Sequence, residues 1–103
     1  MIIKIVHRNE MYRDYGAPVT VIDGIEKILI NPMTLQQAQA DGKFTGVEVS
    51  CYYKDEESNP DLRKIFRIIC QKEDGRTFRI VYVDSICDIY LMNNEGKTIE
   101  RIN

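Results

Sequence analysis

Two glycine-terminated segments, Glu73-Asp74-Gly75 and Asn94-Glu95-Gly96, constrain this chain more than any other feature. Each separates two runs rich in β-branched and aromatic residues. Each also has the form of a three-residue hairpin loop whose last position needs φ > 0. Glycine adopts that backbone without the clash a Cβ would cause. The C-terminal half therefore reads as strands over residues 62–72, 76–83, 86–92 and 97–102, a four-strand meander spanning 62–102.

Turn length sets the register. With Glu73-Asp74-Gly75 as the loop, Cys70 faces Phe78, Ile68 faces Ile80 and Phe66 faces Tyr82, all apolar or aromatic. A two-residue Asp74-Gly75 loop would pair Cys70 with Arg79 instead. Because a one-residue slip sends every side chain to the other face, the longer loop is preferred. Asp84-Ser85 as a tight turn then sets Tyr82 opposite Cys87, Ile80 opposite Ile89 and Phe78 opposite Leu91, and the last hairpin sets Ile99 opposite Leu91. The expected buried face is Phe66, Ile68, Cys70, Phe78, Ile80, Tyr82, Cys87, Ile89, Leu91 and Ile99. Ile80 sits at its centre, with Val81 on the wet side.

The N-terminal half is less regular. Residues 1–6 read as a first strand, and residues 9–18 as a polar loop carrying Tyr12 and Tyr15. Segments 19–22 and 25–30 suggest a hairpin about Asp23-Gly24, in a register that the residues leave open. Asn31-Pro32 is expected to break the second of these strands. Thr34-Leu35-Gln36-Gln37 matches a capping box, so a short helix is expected over 35–41, with Gly42 as its stop. Residues 43–54 alternate apolar and polar side chains and read as a strand. An acidic loop, 55–61, precedes the meander. No internal repeat is evident.

About eight short antiparallel strands and one short helix define an all-β fold, a small barrel or sandwich, in a single domain spanning 1–103. As architecture, the meander is compatible with small SH3-like or Sm-like barrels, but no motif specifies a family. The composition, 44% hydrophobic and 29% charged, is that of an ordinary globular domain. A net charge of −2 argues against a general nucleic-acid footprint. No apolar run approaches the roughly 18 residues of a membrane span. Three cysteines without paired spacing and no signal-peptide pattern at the N-terminus suggest a reducing, cytoplasmic setting.

Motifs that carry chemistry fail on spacing or context. Gly96-Lys97-Thr98 resembles the end of a phosphate loop, yet Leu91 stands where the first glycine belongs and a strand follows. Residues 75–82 have a faint likeness to an RNA-binding strand, but Phe78 and Tyr82 fall on the expected buried face. His7 is the sole histidine and no Cys-x-x-Cys occurs, so no metal, cofactor or catalytic set is expected.

What remains is surface. The expected outer face of the meander carries Arg67, Ile69, Arg79, Val81, Asp88, Tyr90, Thr98 and Glu100; Ile69, Val81 and Tyr90 make it more apolar than a solvated face requires, and with Arg67 and Arg79 they are the candidate contact residues. The Tyr12–Tyr15 loop is a second candidate. The preferred reading is a non-catalytic module working by protein–protein contact, an adaptor or inhibitor, with self-association as one form of it. Two alternatives stand behind it. One is a nucleotide or single-stranded nucleic-acid binder using Arg67, Arg79 and Tyr90. The other is an acidic nucleic-acid mimic, presenting Asp55, Glu56, Glu57 and Asp61 to a basic groove of a partner protein.

Overall fold

The computed structural model describes residues 1–7, 19–46, 64–85 and 87–103. In chain order these form β1 (Ile2–Val6), β2 (Val19–Ile22), β3 (Lys27–Thr34), helix α1 (Leu35–Thr45), β4 (Lys64–Gln71), β5 (Thr77–Asp84), β6 (Asp88–Met92) and β7 (Thr98–Arg101). The fold is all-β with one helix, as the sequence predicts. Two antiparallel sheets face each other like a sandwich, one ordered β2-β1-β6-β7 and the other β3-β4-β5.

The main core lies between the sheets. Ile3, Ile5, Ile22, Cys87 and Ile89 from the four-stranded sheet meet Phe66, Ile68, Cys70 and Val83 from the three-stranded one. Ile25 also packs into this layer, from the connection between β2 and β3. A smaller layer sits on the far side of the three-stranded sheet, where Leu35 and Ala38 of α1 cover Ile65 and pack against Met33 and Tyr82. At about 1.5–3 kcal/mol per large side chain withdrawn from water, the layer between the sheets dominates.

Both glycine loops form as predicted. Lys72 N donates to Arg76 O at 2.9 Å, Asn93 N donates to Lys97 O at 2.9 Å, and Gly75 and Gly96 have φ of 87° and 84°. Neither hairpin keeps its register, however. In the first, Gln71 pairs with Thr77 but Cys70 pairs with Arg79, which leaves Phe78 as an extra, bulged residue. In the second, Met92 pairs with Thr98 but Leu91 pairs with Glu100, which leaves Ile99 extra. The two bulges fall at matching places, after Gly75-Arg76-Thr77 and Gly96-Lys97-Thr98, so the hairpins repeat one design the sequence reading missed.

The bulge reverses every face of β5 beyond it. Val81 and Val83 point into the core, whereas Ile80 and Tyr82 lie on the other side of the sheet with Ile69 and Arg67, and Phe78 and Ile99 are exposed. The expected core positions of Phe78, Ile80, Tyr82 and Ile99 are therefore corrected. Those of Phe66, Ile68, Cys70, Cys87, Ile89 and Leu91 hold.

The connection between β5 and β6 is a second correction. It does not close a hairpin: Ser85 N bonds Lys64 O in one sheet, and the chain then crosses to the other, where β6 pairs with β1. The four strands thus form two hairpins, one in each sheet. Likewise β2 pairs with β1 and β3 with β4, so Asp23-Gly24 joins two sheets and does not turn a hairpin.

The capping box forms. Thr34 Oγ1 accepts from Gln37 N at 3.2 Å, while Gln37 Oε1 accepts from Thr34 N at 3.0 Å. The helix does not stop at Gly42, which is buried within it. It runs to Thr45 and ends at Gly46, whose φ of 74° provides the left-handed cap. Residues 43–45, expected to begin a strand, are its last turn, Gly46 is its cap, and residues 47–54 lie outside the described residues. Pro32 lies inside β3. There β3 is the outer strand of its sheet among the described residues, so the missing N–H is tolerated.

Candidate functional site

The reversal of β5 disperses the surface expected from the sequence. Arg67 and Ile69 lie on the outer face of the three-stranded sheet, Ile69 between Leu29 and Ile80. Arg79 is exposed but stands opposite Cys70, on the core-facing side, and Val81 packs against the core. Tyr90 lies on the opposite side of the molecule, on the outer face of the four-stranded sheet. Tyr12, Tyr15, Asp55, Glu56, Glu57 and Asp61 lie outside the described residues. The structure thus brings Arg67 and Ile69 together and separates them from Arg79, Val81 and Tyr90.

Arg67 is committed to holding α1. Its Nη1 donates to Asp41 Oδ2 at 3.0 Å, the Tyr82 hydroxyl donates to the same carboxylate oxygen, and Thr45 Oγ1 lies 3.4 Å from that hydroxyl. This knot ties the C-terminal turns of the helix to β4 and β5. The Tyr82 hydroxyl and then Arg67 hold the Asp41 carboxyl below its ordinary value of 3.8. Burial and the bond to Asp41 push Tyr82 up.

Because the Asp41 pKa is lower in the folded chain than in the unfolded one, its contribution to stability is complete above the ordinary value. It is lost as pH falls through the folded value. Asp41→Asn should lower stability at neutral pH by about 1–2 kcal/mol, since the carboxylate is partly exposed. Thermal melts at pH 7 and pH 3 check the sign: the wild type should lose more of its Tm on acidification than the variant does.

The outer face of the four-stranded sheet is different in kind. Alternation along β1 buries Ile3 and Ile5 and turns Ile2, Lys4 and Val6 outward. Lys4 stands at its centre, with Val21 of β2 on one side and Tyr90 of β6 on the other. Val19 is opposite Val6, and Met92 is opposite Ile2. Val19 and Val21 are 49% and 58% exposed, and no described element packs over this face. At its β7 side the Arg101 guanidinium lies 5.8 Å from the Tyr90 ring centre and donates to Asp88 Oδ1 at 2.8 Å. Of these residues the sequence reading placed Asp88 and Tyr90 on an outer face and singled out Tyr90 as a contact residue. The alternation of Val19-Thr20-Val21-Ile22 was the signal for the others, hidden by assigning β2 to the wrong partner.

Among the described residues no group of three or more His, Cys, Asp or Glu side chains is placed to hold a metal. His7 Nε2 lies 2.8 Å from Thr20 Oγ1, and burial draws its pKa down. Cys70 is a free thiol, Cys70 and Cys87 are both buried, and burial pushes the Cys70 thiol up. No helix among the described residues is long and apolar enough to cross a membrane. No family model matches the chain, and neither a curated protein nor a solved structure was found to resemble it.

Proposed function

We propose that this protein is a non-catalytic binding module that works by contact with another protein, through the outer face of its four-stranded sheet. One observation carries the reading. An antiparallel sheet face that no other layer covers is ordinarily polar; no described element packs over this one, yet Ile2, Val6, Val19, Val21, Tyr90 and Met92 share it with Lys4 and Asp88, and Val19 and Val21 are exposed. Tyrosine and arginine are the residue types that most often anchor interfaces, and Tyr90 and Arg101 are adjacent on this face. Three cysteines without paired spacing suit a reducing compartment, and we place the protein in the cytoplasm. The contact requires no cofactor.

The test is the double change Val21→Asp and Tyr90→Ala, both on side chains directed away from the core. Circular dichroism should show the fold intact. Affinity capture with mass spectrometry, followed by calorimetry on the protein recovered, should show binding lost. Undiminished affinity in the double variant would eliminate this face and leave Leu29, Ile69 and Ile80, on the other sheet, as the surface to examine.

A further inference from the structure

Lys4 places a cation at the centre of this face, whose strand register also carries the Asp88 carboxylate opposite Val6. It has Ile2 and Val6 two residues away along its own strand and Val21 and Tyr90 across the neighbouring strands. It is half-buried, and among the described residues it has no ion pair and no hydrogen-bond partner for its ammonium. Arg101, by contrast, is already engaged by Asp88 at the margin. Any partner that covers this face withdraws the Lys4 ammonium from water. An ammonium buried without a counter-charge costs several kcal/mol, enough to cancel the contribution of the apolar residues around it.

We infer that the partner is a protein surface presenting a carboxylate, Asp or Glu, within an apolar patch, and that Lys4 is the ion-pair position for it. This rests on the contact reading above and adds the partner's chemistry. A second copy of this chain does not meet the requirement. A twofold axis through the centre of the face sets Lys4 against its own like charge, and the Asp88 carboxylate is already bonded to Arg101. Nor does a phosphate backbone meet it, because such binding draws on several cations, and this face combines Lys4 with an Arg101 that is already paired.

The probe is a displayed library of random peptides panned against the wild-type protein, each enriched peptide being synthesised and titrated. The enriched sequences should share an Asp or Glu flanked by apolar or aromatic residues. Lys4→Met, which keeps the stem and removes the charge, should bind those peptides roughly tenfold or more weakly. Lys4→Glu should do the same and should recover affinity for a peptide whose acid is replaced by lysine. Tighter binding by Lys4→Met, or enrichment without acidic residues, overturns the assignment of Lys4. If Val21→Asp with Tyr90→Ala still abolishes binding in that case, the contact face survives and only the partner chemistry is wrong. Peptides that bind the double variant as well as the wild type, or no enrichment at all, overturn both. Sedimentation showing a dimer that Lys4→Met strengthens would identify a second copy as the occupant and overturn the inference.

Discussion

Ile68→Ala should destabilise the fold by about 2–5 kcal/mol, the range for removing a large aliphatic side chain from a closed core. Ile68 is fully buried at the middle of β4, the central strand of its sheet, between Ile30 and Val81 on the neighbouring strands. No exposed edge lets this site collapse around the missing atoms, so the upper part of the range is expected. The control is Ile80→Ala. Ile80 is half-buried on the other face of the same sheet, so its truncation should cost under about 1.5 kcal/mol. Aspartate substitutions sharpen the contrast. Val81→Asp places a carboxylate against the core and should unfold the chain or nearly so, whereas Ile80→Asp should be tolerated better. Urea unfolding followed by circular dichroism gives the order directly. A larger loss at Ile80 than at Val81 would mean that the bulge at Phe78 is wrong and that the unbulged register expected from the turn alone is right.

Asn103→Ala should cost about 1–3 kcal/mol, large for a side chain outside the core, because it leaves several backbone groups without partners. Asn103 Oδ1 accepts from Ile89 N at 3.0 Å, while its Nδ2 donates to Ser85 O at 3.0 Å and to Cys87 O. Those groups belong to the passage where the chain leaves one sheet and enters the other. Ile102 N adds a bond to Ile89 O at 2.9 Å. Asn103→Asp should be at least as damaging as the alanine change, since it replaces two donors by an oxygen facing two carbonyls. Amide hydrogen exchange of Ile89 should accelerate in both variants. An unchanged exchange rate, with stability within about 0.5 kcal/mol of wild type, would show that β6 is held by its pairing with β1 and β7 without help from the Asn103 side chain.

The β-rich architecture, the two glycine loops and the capping box were legible because each is encoded within a few neighbouring residues. A loop that needs φ > 0 at its third position must place glycine there. A helix start must satisfy its free N–H groups from nearby side chains, as Thr34 and Gln37 do. These are local requirements, and local residue types answer them.

The side on which each strand of a hairpin buries itself, and the strand with which it pairs, were settled at longer range. Phe78 and Val81 both suit a core by residue type, and only the bulge decides between them. It is stabilised by what the whole sheet gains when Val81 and Val83 meet Ile68 and Phe66 inside and Tyr82 meets Asp41 outside. The Asp84-Ser85 passage is similar. A tight hairpin there would satisfy the local backbone, but crossing lets β6 pair with β1, more than eighty residues earlier, and closes the layer between the sheets. The candidate site inherits this dependence. Lys4, Val21 and Tyr90 are scattered along the chain and become neighbours only through the strand order β2-β1-β6-β7. Strand order reflects the burial of apolar area summed over the whole molecule, a quantity no short stretch of sequence contains.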